Sequence, residues 1–249
     1  MSEALRLAVS WLTVLPVRPP IRMEGHAARR ALYWAPLVGA GLGLLAAGAL
    51  AALHALAVPP LLAGLLVVAL ITGATRGMHL DGLADTADGL GCYGNRQEAL
   101  EVMEQGSTGP FGVTAVVLVV AIQAAALGAL EQAGRLFPVV LALTTGRAAF
   151  SWCARRGVPP ARPSGLGALV AGSQPRAVPV AWSLVLLAAG AVAVPGRPWA
   201  GMLAVTTAAL TVTVLSAHTR RRLGGVTGDV LGAASELAST AVLVVCAAG

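Results

Sequence analysis

Seven apolar stretches of 17–23 residues follow one another along this chain, at 35–57, 59–75, 110–130, 136–152, 177–194, 199–217 and 230–248. A helix needs roughly 17–25 apolar residues to cross a bilayer core, and each stretch falls in that range. The chain of 249 residues is 57% hydrophobic and only 11% charged, more apolar surface than a water-soluble domain can cover. The expected fold is therefore all-α: a polytopic membrane bundle of about seven transmembrane helices, with residues 1–249 forming a single membrane-embedded catalytic domain. Glycine and proline mark the joints at Pro59-Pro60, Gly134 and Pro195-Gly196. Residues 4–15 read as a further short helix lying at the interface. Glu3 and the proline-rich 16–20 segment stand where a secretory leader would carry its small-residue cleavage site.

Charge supplies an independent check on this count. The 17 cationic residues are all arginine, and when they are sorted by side fifteen fall with the N-terminus and two, Arg135 and Arg197, fall opposite. Such a bias predicts a cytoplasmic N-terminus, an external C-terminus, and three long cytoplasmic loops at 76–109, 153–176 and 218–229. The absence of lysine excludes a Walker A loop. A net charge of +6 without a basic stripe interleaved with aromatics argues against nucleic acid as a partner. Cys92, Cys153 and Cys246 have neither the spacing of a disulfide framework nor that of a zinc site.

Chemistry concentrates in the first long loop, in the run His79-Leu80-Asp81-Gly82-Leu83-Ala84-Asp85-Thr86-Ala87-Asp88-Gly89. At about 100° per residue, Asp81, Asp85 and Asp88 fall within roughly 60° of one another on a helix. Three carboxylates on one face resist ionising together. A hard cation resolves that conflict, and Mg²⁺ takes oxygen ligands while keeping waters that phosphate oxygens replace. The alternative is a solvated acidic helix end paired with Arg76 and Arg96.

Asp229 and Glu236 form a second acidic pair at i, i+7, with Asp229 at the cytoplasmic start of the last span and Glu236 about 10 Å inside it. Asp229 is expected as a further metal ligand, although it also suits a helix N-terminus. Glu236 or Asp88 is the candidate base. Arg147, inside the fourth span, could meet a carboxylate or a phosphate. Arg76 and Arg222 are further candidate substrate ligands, and His79 could stabilise a leaving group. The glycine-rich turn Gly106-Ser107-Thr108-Gly109 opens the third span, so the N–H groups near Thr108 and Gly109 could face an anion. Gly41-Leu42-Gly43-Leu44-Leu45-Ala46 fits a dinucleotide fingerprint, but within a span it reads better as small-residue helix packing.

The run from Gly77 to Gly89 resembles the signature of the cobalamin synthase family, the adenosylcobinamide-GDP ribazoletransferases. Gly109-Pro110-Phe111-Gly112-Val113, Gly146-Arg147 and Thr227-Gly228-Asp229-Val230-Leu231-Gly232-Ala233 with Glu236 follow in matching order. The resemblance implies Mg²⁺-dependent transfer of adenosylcobinamide phosphate from adenosylcobinamide-GDP to α-ribazole or its 5′-phosphate, with release of GMP. It implies a multi-pass protein of a prokaryotic inner cell membrane, contacting lipid, with its site facing the cytoplasm; a homo-oligomer is left open. The metal ligands would be Asp81, Asp85, Asp88 and Asp229, with Asp85, Asp88, Glu236 and His79 serving catalysis. Family members often carry an acidic residue just before the Gly109 position, where this chain has Gln105, Gly106 and Ser107, so Ser107 or Glu104 would have to substitute. Other readings are a CDP-alcohol phosphotransferase-like or prenyltransferase-like enzyme, or a secondary transporter. The first would want a D-x-x-D-G-x-x-A-R run, whose Arg Asp81-Gly82-Leu83-Ala84-Asp85 lacks, the second a fuller second aspartate helix, and the third its acids near the midplane.

Overall fold

A computed structural model describes residues 3–17 and 25–249. Arg18, Arg22 and the side chain of His26 lie outside the described residues. Within them the chain forms eleven helices: α1 (Glu3–Leu12), α2 (Gly25–Ala55), α3 (Pro60–Ala74), α4 (Met78–Gly91), α5 (Arg96–Val102), α6 (Pro110–Gln132), α7 (Phe137–Cys153), α8 (Gly165–Val170), α9 (Ala177–Gly190), α10 (Pro198–Arg222) and α11 (Gly228–Ala248). The all-helical membrane fold is as expected.

Each of the seven apolar stretches is helical, but they are not equal. Only α2, α6, α10 and α11 are by themselves long and apolar enough to cross a bilayer, and α3 with α4 makes a fifth only if their bent pair counts as one. The 14 residues of α9 and the 17 of α7 are shorter. Of the expected seven or so spans, four are long and apolar enough on their own and a fifth is so with the bent pair, while α7 and α9 are shorter apolar helices. Large apolar side chains such as Leu44, Leu66, Leu118, Leu184 and Leu210 are exposed on the outside, a surface suited to lipid rather than water.

Small residues let the helices close up, as expected where lipid supplies no hydrophobic drive between them. Gly39 and Gly43 of α2 lie against the backbone of α7 at Leu143 and Val140, and Gly64 of α3 lies against Ala124 of α6. Gly43 thus bears out the packing reading of the fingerprint-like run, whereas Gly41 meets nothing within 4 Å. α11 packs against α4, α6, α7 and α10. Its far end is tied down by Arg135, which donates to the Cys246 carbonyl at 3.4 Å, and by Arg197, which donates to Gly249.

Candidate functional site

Two backbone features bring the acidic residues together. The first is a corner: α3 stops, Arg76 and Gly77 both adopt left-handed backbone (φ 57° and 67°), and α4 departs at 93°. Glycine takes this conformation freely, whereas for arginine it costs about 1–3 kcal/mol. The Arg76 guanidinium stabilises the corner, because its Nη2 donates to the carbonyls of Ser10 (3.1 Å) and Trp11 (3.2 Å) at the end of α1. Arg76, expected as a substrate ligand, ties α1 to the corner and also lines both cavities beside Asp81.

The second feature is the crossing of α4 over the start of α11. A Cβ on Gly82 would lie 2.7 Å from the Asp229 carbonyl oxygen, and one on Gly232 would lie 3.2 Å from the His79 Cα. Backbone touches backbone there, which sets Asp81 and Asp85 beside Asp229. Partial burial, then Asp81, Asp229 and Asp88 in that order, push the Asp85 carboxyl up to about 6, with Arg162 pulling the other way.

Asp88 departs from expectation. Its Oδ2 accepts from the Gly109 N–H at 2.7 Å and its Oδ1 from the Gly112 N–H at 2.9 Å, and the side chain is buried. The protein's own carboxylate thus fills the anion position at the N-terminus of α6 that Thr108 and Gly109 were expected to offer a substrate. Among the described residues no three His, Cys, Asp or Glu side chains are grouped to hold an ion by themselves. The expected cage of Asp81, Asp85, Asp88 and Asp229 is therefore not assembled, since Asp88 is turned toward the amides of α6.

Asp229 is held at both ends of its environment. Thr227 Oγ donates to its Oδ2 at 3.1 Å while accepting from the Val230 N–H, so one hydroxyl caps α11 and orients the carboxylate. Arg162 reaches the same Oδ2 at 3.5 Å, pairs with Glu104 at 3.1 Å and donates to the Leu100 carbonyl at 2.8 Å. The motifs gave no hint of Arg162. Its loop is pinned in place by the Ala161 N–H on the Val226 carbonyl and the Val226 N–H on the Pro159 carbonyl, each 3.0 Å, contacts no local pattern reveals. Of the two residues expected to substitute for the missing acid before Gly109, Glu104 adjoins the cluster through Arg162.

His79 and Arg147 lie just behind. The imidazole stacks on Phe150 (centroids 5.8 Å apart, planes 7° from parallel), and Arg147 Nη2 approaches its Nδ1 at 3.5 Å. Burial first and the Arg147 charge second hold the His79 pKa well below its ordinary value, so the ring is neutral. With Nδ1 facing a donor, the ring proton belongs on Nε2, which has no partner among the described residues. Arg147 also donates to Ser235 Oγ at 3.0 Å and is 1% exposed. Glu236 accepts from Gln123 Nε2 at 2.8 Å and shares a cavity of about 30 Å³ with Arg147, Gln123 and Ser239. Neither Arg147 nor Glu236 lines the larger cavities at the aspartates, and Glu236, expected as a base, lies inside the bundle where its charge acts on Arg147. Arg222 is likewise elsewhere: its Nη2 donates to the carbonyls of Cys92 (2.5 Å) and Gly94 (2.7 Å) just beyond α4.

Asp81 stands between two cavities. One, of about 590 Å³, is walled by α1, α2, α4, α7, α8 and α11 and includes Trp11, Phe150, Leu169, His79, Asp81 and Asp229. The other, of about 670 Å³, opens between α4 and α6 and includes Asp81, Ala84, Thr108 and Val113. Two sizeable spaces meeting at one carboxylate suit a reaction with two large substrates.

The sequence profile of the cobalamin-5-phosphate synthase family matches residues 4–247. The chain belongs to that family. A Nocardioides sp. protein named adenosylcobinamide-GDP ribazoletransferase is 44% identical over 248 residues, covering 100% of both chains. Proteins of the same name from Frankia casuarinae and Corynebacterium efficiens are 40% and 37% identical, each across 99% of this chain and 95% and 92% of their own lengths. No solved structure matches.

Proposed function

We propose that this family member closes the nucleotide loop of cobalamin by transferring adenosylcobinamide phosphate from adenosylcobinamide-GDP to α-ribazole or its 5′-phosphate, and that it does so with Mg²⁺ at the cytoplasmic face of a prokaryotic inner membrane. In this step the acceptor hydroxyl oxygen forms a bond to the cobinamide-side phosphorus. The bond from that phosphorus to the bridging oxygen breaks, GMP leaves with the electron pair, and the hydroxyl proton passes to the aspartate cluster. Transfers of this kind need neutralised charge and aligned oxygens more than a covalent catalyst.

The observation that carries the metal reading is the state of the arginines. Arg162 is paired with Glu104 and Asp229, Arg222 is tied to carbonyls beyond α4, Arg147 is buried behind His79, and Arg76, which lines both cavities, is one positive charge against three aspartates. A diphosphate arriving beside Asp81, Asp85 and Asp229 meets more negative charge than positive. A divalent ion supplies the missing charge, and Mg²⁺ is usually held by one or two carboxylates together with substrate phosphates rather than by a complete protein cage. Hard carboxylate oxygens of one or two among Asp81, Asp85 and Asp229, completed by phosphate oxygens, would suit that ion. Asp88 positions α6 against α4, and the one-sided arginines support the cytoplasmic orientation.

The test is Mg²⁺-dependent release of GMP from adenosylcobinamide-GDP by the protein in lipid, with and without α-ribazole. Asp85→Asn should lower the rate at least 100-fold while expression, insertion and thermal stability are retained. Full activity in that variant, or wild-type turnover unchanged by a chelator, refutes the metal assignment. Release of no GMP by the wild type with either acceptor refutes the function.

A further inference from the structure

We infer that the 590 Å³ cavity beneath α1 is the subsite for the aromatic base of the nucleoside acceptor, and that the cobinamide donor enters from the opening between α4 and α6. This rests on the function proposed above, and assigns each substrate to one side of Asp81.

Three observations point the same way. The first is shape: the α1-side cavity has walls on six helices and a bounded volume, enough for a nucleoside, whereas the other lies between two helices and leaves a corrin ring and its side chains free to extend outward. The second is lining. Trp11, Leu12, Leu32, Phe150, Leu166 and Leu169 give the first cavity apolar and aromatic walls that suit a flat bicyclic base, with Asp81 and Asp229 also on its lining, where the sugar's hydroxyls can reach the reacting phosphorus. Val113, Val116 and Val117 line the second without an aromatic ring.

The third is a polar group without a partner. His79 lines the α1-side cavity, Arg147 occupies its Nδ1 edge, and its buried Nε2 has no partner among the described residues. A buried polar atom without a partner is unfavourable, and a bound base that displaces the side chains over it can supply one. A benzimidazole riboside carries one such partner, its unsubstituted ring nitrogen, lying in the plane of the base. Arg147 thereby becomes a positioning residue, fixing which ring nitrogen of His79 bears the proton.

Steady-state kinetics of the full protein in lipid, varying each substrate in turn, separates the two subsites. Leu169→Trp narrows the α1-side cavity at an exposed position and should raise KM for α-ribazole tenfold or more, with KM for adenosylcobinamide-GDP within twofold. Val113→Trp, also exposed, should do the reverse. A ribazole analogue with CH in place of the unsubstituted ring nitrogen should show a KM about tenfold higher on the wild type, and the difference should vanish in His79→Phe. The analogue comparison on unmutated protein holds even if His79→Phe fails to fold. Leu169→Trp acting on the donor alone, or the analogue matching α-ribazole on the wild type, overturns the assignment while leaving the function standing; absence of GMP release with any acceptor would instead remove the function on which it rests.

Discussion

Replacing Gly82 with alanine tests whether the backbone crossing of α4 and α11 sets the geometry of the aspartates. The new methyl carbon would sit 2.7 Å from the Asp229 carbonyl oxygen and 2.9 Å from its Cα, against the 3.4 Å at which ordinary contact begins, so the helices must part by about 0.7 Å. Both obstacles are backbone and neither can rotate away. Overpacking of this kind costs about 1–3 kcal/mol, which lowers the melting temperature by about 2–4 °C per kcal/mol for a chain of this size. The separation moves Asp81 and Asp85 away from Asp229, and misplacements near 1 Å cost about 100-fold in rate. Gly82→Ala should therefore remain folded in detergent but lose about 100-fold in kcat/KM for GMP release. Gly41→Ala and Gly48→Ala, whose added carbons meet nothing within 4 Å, should keep full activity. Wild-type kcat/KM in Gly82→Ala refutes the argument that this contact holds the cluster together.

Arg222→Met should lower thermal stability through the loss of two charge-assisted bonds to Cys92 and Gly94 while leaving both KM values within twofold; a tenfold rise in KM for the donor at unchanged stability would restore its role as a substrate ligand. Asp88→Ala strips the Gly109 and Gly112 amides of their acceptor and should cost about 1–3 kcal/mol, read as a lower melting temperature with activity lost in proportion to misplacement of α6. Asp85 holds its proton to about pH 6 in the folded protein against 3.8 ordinarily, so its contribution to stability is present below 3.8 and is lost as pH rises through 6. In a chelator, melting temperature should fall across that window, and Asp85→Asn should flatten the fall; a wild-type profile in Asp85→Asn would contradict the assigned crowding.

What could be read from the residues, and what could not, divides along a physical line. The 100° step placed Asp81, Asp85 and Asp88 on one helical face, and α4 carries them so, because that relation is local. Which carboxylate faces what depends on neighbours brought in by the tertiary fold: Asp88 meets amides 21 and 24 residues away, and Glu236 meets Gln123 across the bundle. Arg162 stands in a loop with no periodicity and becomes part of the cluster only when 159–161 is stitched to Val226. The depth of Glu236 was legible from its distance into an apolar helix, but its bond to Gln123 and the cavity it shares with Arg147 were not. Hydropathy located the apolar helices and overstated how many are long enough to cross alone, because it cannot see where α3 ends and the corner begins.

That corner makes the first helix a latch. Arg76 tolerates its left-handed backbone only while its guanidinium grips the end of α1, so a force that lifts α1 from the bundle also loosens the hinge from which the aspartates hang. Deleting the ten residues of α1 would then strip Trp11 and Leu12 from the cavity and loosen that hinge in the same stroke. A lipid environment that seats α1 firmly would keep it primed.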